Sequence, residues 1–183
     1  YGSKMKDCYL QLEALDNMSR VHRQKGDYTK SMAATQQVRS LLGDSTVTAA
    51  ARDLYEWSCL INTAIIHARQ GDAQAAQADL TRLNELSERA PSVGKSRQLH
   101  FARGAVAYWG NDYQAALASF SQADSLSPQV RYHTALCLEK LGKGLEARRL
   151  YTWISKWNRN DLALALVRPD AMTKLKALSA VGD

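Results

Sequence analysis

The 183-residue sequence predicts an all-α fold. Apolar residues recur at steps of three and four along most of the chain, which places them on one face of a helix. Short turns that contain glycine, asparagine and aspartate separate these segments. No segment shows the strict alternation of apolar and polar residues that is typical of a half-buried strand. We therefore expect helices joined by short turns.

The stretch from Trp109 to Pro128 shows the pattern most clearly. Its first residues are suited to a turn, and Asp112 can cap the N–H groups that follow. Ser127 and Pro128 end this helix and can start the next one, as N-cap and first helical residue. The apolar face between these points consists of Tyr113, Ala116, Leu117, Phe120, Ala123 and Leu126.

Four helices are predicted before residue 89. In this half of the chain Asp27 and Asp72 each follow a glycine and precede an apolar segment, so we expect both to be N-caps. The third helix is long because its stretch contains neither glycine nor proline. The predicted spans are residues 4–24, about 28–42, 46–70 and about 73–88.

The second half of the chain begins after a loop at residues 89–96, which contains Pro91 and Gly94 and is the clearest interruption of the pattern. The last two predicted helices are separate because Pro169 is expected to end a helix. The predicted spans are residues 97–109, 113–126, 128–141, 145–157, 162–167 and 171–178.

Composition limits the class of protein. No apolar run approaches the roughly 20 residues that a membrane-spanning helix needs. The three cysteines, Cys8, Cys59 and Cys137, are far apart, so we expect them to be reduced and partly buried. This mildly favours the cytoplasm, with the periplasm as the alternative if the chain is part of a longer sensor protein. Because the chain begins with Tyr1, we expect a processed chain or a piece of a longer one.

A helix–turn–helix unit recurs four times, each with a small residue five places after the turn. These small residues are Ser31, Ala76, Ala116 and Ala147. The unit resembles the tetratricopeptide repeat (TPR), a helix–turn–helix repeat of about 34 residues. The third copy matches the signature at Gly104, Tyr113, Ala116, Phe120, Ala123 and Pro128. The small residues are 45, 40 and 31 positions apart, and Thr35 and Leu80 replace the usual aromatic.

This irregular array is similar to those of bacterial regulatory and signalling proteins. The resemblance covers about residues 12–157. It implies a right-handed α–α superhelix of antiparallel helix pairs. We expect a single domain over residues 1–183, with four pairs within 4–157 and capping helices within 161–178. It also implies a scaffold or adaptor that binds a peptide or partner segment in a concave groove lined by the first helix of each pair.

Residues that face this groove are predicted from the repeat alignment. Tyr108 and Trp109 are adjacent and cannot easily face the same core, so one of them is a candidate anchor for a partner. The alternative is that both pack inside the protein. The predicted binding residues are Asp16, Arg20, Arg23, Asn62, Arg69, Phe101, Tyr108, Trp109 and Tyr132.

Some TPR proteins hold the carboxylate of a peptide C-terminus in a clamp of Lys, Asn and Arg. Asn62 matches one clamp position here. The other positions carry different residues, so we do not expect a clamp of that kind. These positions are Asp16, Arg20, Gln98 and Ala102.

Other functions are less well supported. No nucleophile motif, phosphate loop or carboxylate pair is present, and His22, His67, His100 and His133 lack metal-ligand spacing, so we expect no enzyme, metal or cofactor. Residues 128–183 hold ten basic against five acidic residues. With Tyr151, Trp153 and Trp157 they suggest nucleic-acid binding as one alternative. Self-association through the terminal helices is another.

Overall fold

The computed structural model describes the backbone of residues 2–180 and the side chains of residues 7–178. These residues form nine α-helices and no strand, which confirms the all-α prediction. The helices are α1 (Gly2–Gln24), α2 (Tyr28–Leu41), α3 (Ala49–Arg69), α4 (Ala73–Arg89), α5 (Val93–Trp109), α6 (Tyr113–Ser121), α7 (Pro128–Lys140), α8 (Gly144–Lys156) and α9 (Leu162–Ala180).

The chain divides into two compact units. The N-terminal unit ends at Pro91 and the C-terminal unit begins at Ser92. This boundary falls within residues 89–96, which the sequence predicts as a loop. The predicted loop is too long, because α4 continues to Arg89 and α5 already begins at Val93. The single domain over the whole chain stays a prediction.

Helix pairs in both units are joined by turns with left-handed backbone. Gly26, Gly71 and Gly142 have φ values of 81°, 81° and 75°, and Asn111 has a φ of 65° at the equivalent position. Glycine adopts this conformation without steric cost, and asparagine tolerates it better than most residues. After three of these turns an aspartate side chain accepts a hydrogen bond from a backbone N–H three residues on, which confirms the predicted caps at Asp27, Asp72 and Asp112.

In the N-terminal unit, α1 packs against both α2 and α3, while α3 also packs against α2 and α4. One core cluster joins α1, α2 and α3 through fully buried side chains that include Leu12, Val38 and Cys59. Ala76, Leu80 and Leu83 form the buried face of α4. The first helices of consecutive pairs, α1 and α3, are therefore neighbours.

The C-terminal unit repeats this arrangement. Each helix from α5 to α9 packs against the next, and α7 also packs against α5 and α9. Gly104 on α5 allows the closest approach, since a Cβ at this position would lie 2.5 Å from the ring of Phe120. The largest core cluster of the unit consists of Tyr132, Ala135, Leu138, Ala147, Tyr151, Ile154, Leu164, Val167 and Ala171.

The prediction of two capping helices around Pro169 is wrong, because α9 continues through this proline. Because Pro169 has no N–H, the carbonyl of Ala165 loses the donor that it would have in a regular helix. Ala165 is exposed, so water can take the place of this donor. Leu164, Val167 and Ala171 are buried on both sides of the proline. A proline inside a helix costs about 3 kcal/mol, and burying a Leu or Val side chain recovers about 1.5–3 kcal/mol each. One continuous helix keeps all three side chains in the core.

The helix predicted at 113–126 is shorter than expected. It ends at Ser121, and Leu126 is 59% exposed rather than part of the apolar face. The side chain of Asp124 accepts a hydrogen bond from Leu126 N at 3.0 Å, which stabilises a turn in place of the last helical residues. Pro128 starts α7 as predicted, after Ser127 as N-cap, although the Ser127 side chain makes no capping hydrogen bond.

Candidate functional site

The structure sorts the predicted binding residues into two groups, one in each unit. The first group lies on α1 and α3, which pack against each other. The second lies on α5 and α7, which are also neighbours. The first group is Asp16, Arg20, Arg23, Asn62 and Arg69; the second is Phe101, Tyr108, Trp109 and Tyr132.

Four residues of the first group interact electrostatically, and we call them the arginine cluster: Asp16, Arg20, Arg23 and Arg69. Arg23 is only 7% exposed. Burial, followed by the positive charges of Arg69 and Arg20, lowers the pKa of Arg23 to about 9, and Asp16 opposes this shift. Arg23 therefore remains protonated at neutral pH. The cluster combines three cations with one carboxylate, so it carries excess positive charge.

Contacts between α1 and α3 hold the outer members of the cluster in place. Arg69 Nη1 donates a hydrogen bond of 2.7 Å to the backbone oxygen of Arg23. Its guanidinium lies 5.9 Å from the centroid of the Tyr28 ring, within the range of a cation–π contact. Asp16 Oδ1 accepts a hydrogen bond of 2.5 Å from the hydroxyl of Ser58. One carboxylate oxygen of Asp16 is thus engaged by a neutral donor.

Asn62, the fifth residue of the first group, is buried and faces α2. Its Nδ2 donates to Ser31 Oγ at 3.1 Å and to Thr35 Oγ1 at 2.8 Å. The Ser31 hydroxyl in turn donates to the backbone oxygen of Ser19 at 2.7 Å. This polar network joins α1, α2 and α3. Asn62 therefore holds helices together and does not line the face that the arginine cluster occupies.

In the second group, aromatic rings gather around a buried histidine. The His133 ring makes edge-to-face contacts with Phe101 at 5.5 Å and Tyr108 at 6.5 Å between centroids. Because a carbonyl only accepts, the 2.8 Å contact with Gln129 O makes His133 Nδ1 the donor. Tyr108 also packs edge-to-face on Trp109, at 5.0 Å. We call Phe101, Tyr108, Trp109, Tyr132 and His133 the aromatic cluster.

Burial distinguishes the members of the aromatic cluster. Tyr108 and Tyr132 are 8% and 7% exposed, so they pack beneath the surface that α5 and α7 form. Phe101 and Trp109 are partly exposed. Of the two adjacent aromatics, Trp109 is therefore the candidate anchor.

A third set of residues, on α7 and α8, was only partly predicted from the sequence. The guanidinium of Arg131 lies 3.8 Å from the centroid of the Trp153 ring, and the Trp157 ring stacks on Trp153 at 4.1 Å. Arg131 and Trp157 therefore both pack on the Trp153 indole. The sequence indicated Trp153 and Trp157, but it also indicated Tyr151, which is fully buried and contributes nothing to this surface.

Two cavities lie beside this stack. One has a volume of about 430 Å³ and lies between α6, α7 and α8. The other has a volume of about 320 Å³ and lies on α8. The first is lined by Leu117, Phe120, Val130, Leu150 and Arg131, among others, and the second by Arg149, Thr152, Trp153, Lys156 and Trp157.

The three cysteines lie in the interior of the part of the chain that the structure describes. Cys8, Cys59 and Cys137 are all buried and free, as predicted. Burial raises the pKa of Cys59 and of Cys137 to about 12, which keeps both thiols protonated at neutral pH. Between residues 2 and 180, no three His, Cys, Asp or Glu residues come together as a metal site. Over the same residues, no helix combines the length and apolar character of a membrane span.

No family model, curated protein or solved structure matches the chain. The protein is therefore defined by its structure as an all-α chain of packed helix pairs, with a cationic face in one unit and an aromatic face in the other. The TPR resemblance rests on the residues quoted above and stays a proposal.

Proposed function

We propose that the chain is a TPR-like scaffold that binds a peptide or partner segment on the first helices of its pairs. Two features of each unit support this. Consecutive helices pack together, and so do alternate ones, α1 with α3, α5 with α7 and α7 with α9. This is the pattern expected of antiparallel pairs stacked as segments of a right-handed superhelix.

The observation that carries the proposal is the environment of Arg23. A buried charge is costly unless an opposite charge compensates it. The charges that act on Arg23 most strongly after burial are those of two further arginines, and Asp16 offers the single opposing charge. A carboxylate from a partner, bound between Arg20 and Arg23, would offset this excess. The partner segment is therefore acidic.

A matched pair of peptides tests this function. The probes are fluorescein-labelled twelve-residue peptides, one of alternating glutamate and alanine and one with glutamine in place of glutamate, titrated by fluorescence polarisation. We expect only the glutamate peptide to bind. Because charge-assisted hydrogen bonds contribute about 1.5–3 kcal/mol, Arg20→Glu should weaken binding by about 10-fold or more.

The control variant is Lys25→Glu, which makes the same charge change at an exposed position just after α1. Lys25 is not among the charges that shift the pKa of Arg23, so its variant should bind like the wild type. Arg20→Glu also places a carboxylate beside Arg23, so the free energy of unfolding should not fall. Equal binding of both peptides, or equal losses in the two variants, would contradict the proposal.

A further inference from the structure

The larger cavity of the C-terminal unit can hold an apolar side chain. Its volume is about 430 Å³, and the apolar part of its lining is Leu117, Phe120, Val130 and Leu150. The polar part of the lining is Arg131, Thr134 and two serines. Burying a Leu or Phe side chain of a partner there would contribute about 1.5–3 kcal/mol.

Arg131 lies where the two cavities meet. It lines the larger cavity, and its guanidinium covers Trp153, which lines the smaller one. Its Nε donates a hydrogen bond of 2.7 Å to the backbone oxygen of Ser125. These two contacts fix the side chain, and they leave the Nη1 and Nη2 donors available to a carboxylate. The guanidinium is thus preorganised beside an apolar cavity.

The smaller cavity continues the positive charge along α8. Arg149 and Lys156 are both exposed and lie two turns apart on the side of α8 that carries Trp153. Among residues 7–178, no acidic residue lines either cavity. The apolar cavity, Arg131 and the basic cavity form one continuous surface, which we call the α8 strip.

We propose that the α8 strip binds an acidic peptide segment that carries one large apolar side chain. The apolar side chain would fill the larger cavity, and flanking carboxylates would pair with Arg131, Arg149 and Lys156. This site is separate from the arginine cluster of the N-terminal unit, and it does not depend on binding there.

Single-stranded nucleic acid fits the α8 strip less well. Bases bind to aromatic side chains by stacking on an open ring face. Arg131 and Trp157 both pack on the Trp153 ring, which leaves less of this ring open to a base. An apolar side chain with acidic neighbours matches both parts of the strip.

The test compares four fluorescent probes by polarisation. The first is a twelve-residue peptide with one central leucine flanked by four aspartates; the second replaces the leucine by glycine; the third replaces the aspartates by lysines; the fourth is a twelve-nucleotide thymidine oligomer. We expect the first probe to bind best. The glycine peptide, the lysine peptide and the thymidine oligomer should each bind at least about 10-fold more weakly.

Matched variants assign the binding to the strip. The double variant Arg149→Glu with Lys156→Glu should weaken binding of the first probe by about 10-fold or more. The control is Arg148→Glu with Lys143→Glu, which makes the same charge change at exposed residues outside the cavity. It should weaken binding by less than about 3-fold. Ser121→Trp should obstruct the larger cavity, which Ser121 lines, and Gln122→Trp is its control. Circular dichroism shows whether each variant is folded.

Several outcomes would overturn the inference. Tighter, strongly salt-dependent binding of the thymidine oligomer would assign the strip to nucleic acid instead. Equal losses in the paired variants would mean that net charge alone attracts the peptide. Loss of the leucine probe in Arg20→Glu but not in Arg149→Glu with Lys156→Glu would place the binding at the arginine cluster. That result would support the proposed function and reject the α8 strip.

Discussion

The two units fill the same repeat position with opposite chemistry. Asn62 lies nine residues before the turn glycine Gly71, and His133 lies nine residues before Gly142. In the N-terminal unit Asn62 donates hydrogen bonds to Ser31 and Thr35 on α2. In the C-terminal unit His133 packs against rings on α5 and α6. The same helix contact is thus polar in one unit and aromatic in the other.

The partner positions change together with this residue. Ser31 and Thr35 lie five and nine residues after Gly26, and the equivalent positions after Asn111 are Ala116 and Phe120. Asn62 therefore lies opposite two hydroxyl groups, whereas His133 lies opposite an alanine and an aromatic ring. An aromatic ring at position 35 would remove a hydrogen-bond acceptor of Asn62. Packing geometry constrains how the helices of a pair are arranged, but it does not require the same residue types at each interface.

The largest expected loss of stability comes from breaking the aromatic contact of the C-terminal unit. Phe120 is buried against Phe101 and His133, with ring centroids 6.1 Å and 5.9 Å away. Phe120→Ala should lower the free energy of unfolding by about 3–5 kcal/mol, because it leaves a cavity where α5, α6 and α7 meet. Urea denaturation measures this change. The exposed Leu126→Ala is the control and should cost less than about 0.5 kcal/mol. A loss below about 1 kcal/mol for Phe120→Ala would show that the cluster is not a tightly packed core.

A smaller loss of stability is expected from breaking the polar contact that Asn62 makes in the N-terminal unit. Asn62→Ala should cost about 1–3 kcal/mol, because two buried hydroxyls lose a donor and the side chain leaves a cavity. Thr35→Val removes one of these acceptors and keeps the volume. Since both changes disrupt the same hydrogen bond, a double-mutant cycle should give a coupling energy of at least about 0.5 kcal/mol. Additive losses in the double variant would mean that the amide and the hydroxyl do not interact.

Helices and caps could be predicted because their causes are local. Apolar spacing predicts α1 to α8, and an aspartate after a turn glycine or asparagine predicts three N-caps. The continuity of α9 was missed although Leu164, Val167 and Ala171 keep helical spacing across Pro169. A proline is a local signal for the end of a helix, but its cost here is outweighed by burial of these side chains against α7 and α8, which depends on tertiary packing.

The candidate sites depend on contacts between distant residues, so the sequence identified them incompletely. The repeat alignment placed Arg20, Arg23 and Arg69 on neighbouring helices, but it did not show that Arg23 is buried. It also could not show that Asn62 turns towards α2, since this depends on how α3 crosses α2. Arg131 and Trp153 are 22 residues apart and stack only because α7 and α8 are antiparallel neighbours. No local pattern reports such a pair.

The smallest expected effect on stability comes from the titration of one buried thiol in each unit. Burial raises the pKa of Cys59 and of Cys137 to about 12, above the ordinary value of 9.0. The folded protein therefore keeps these protons after the unfolded chain has begun to lose them. The contribution of each thiol is fully present below pH 9 and is lost as the pH rises from 9 towards 12. Between pH 8 and pH 10 each should lower the free energy of unfolding by about 1 kcal/mol.

Cysteine variants separate this contribution from other groups that titrate in the same range. Cys59→Ala and Cys137→Ala should each reduce the fall in unfolding free energy between pH 8 and pH 10 by about 1 kcal/mol, whatever their effect on stability at pH 7. Denaturation at both pH values measures the difference. If one variant keeps the wild-type pH dependence, the thiol that it lacks is open to solvent in solution. The contrast between a polar and an aromatic interface would then extend to how tightly each unit excludes water.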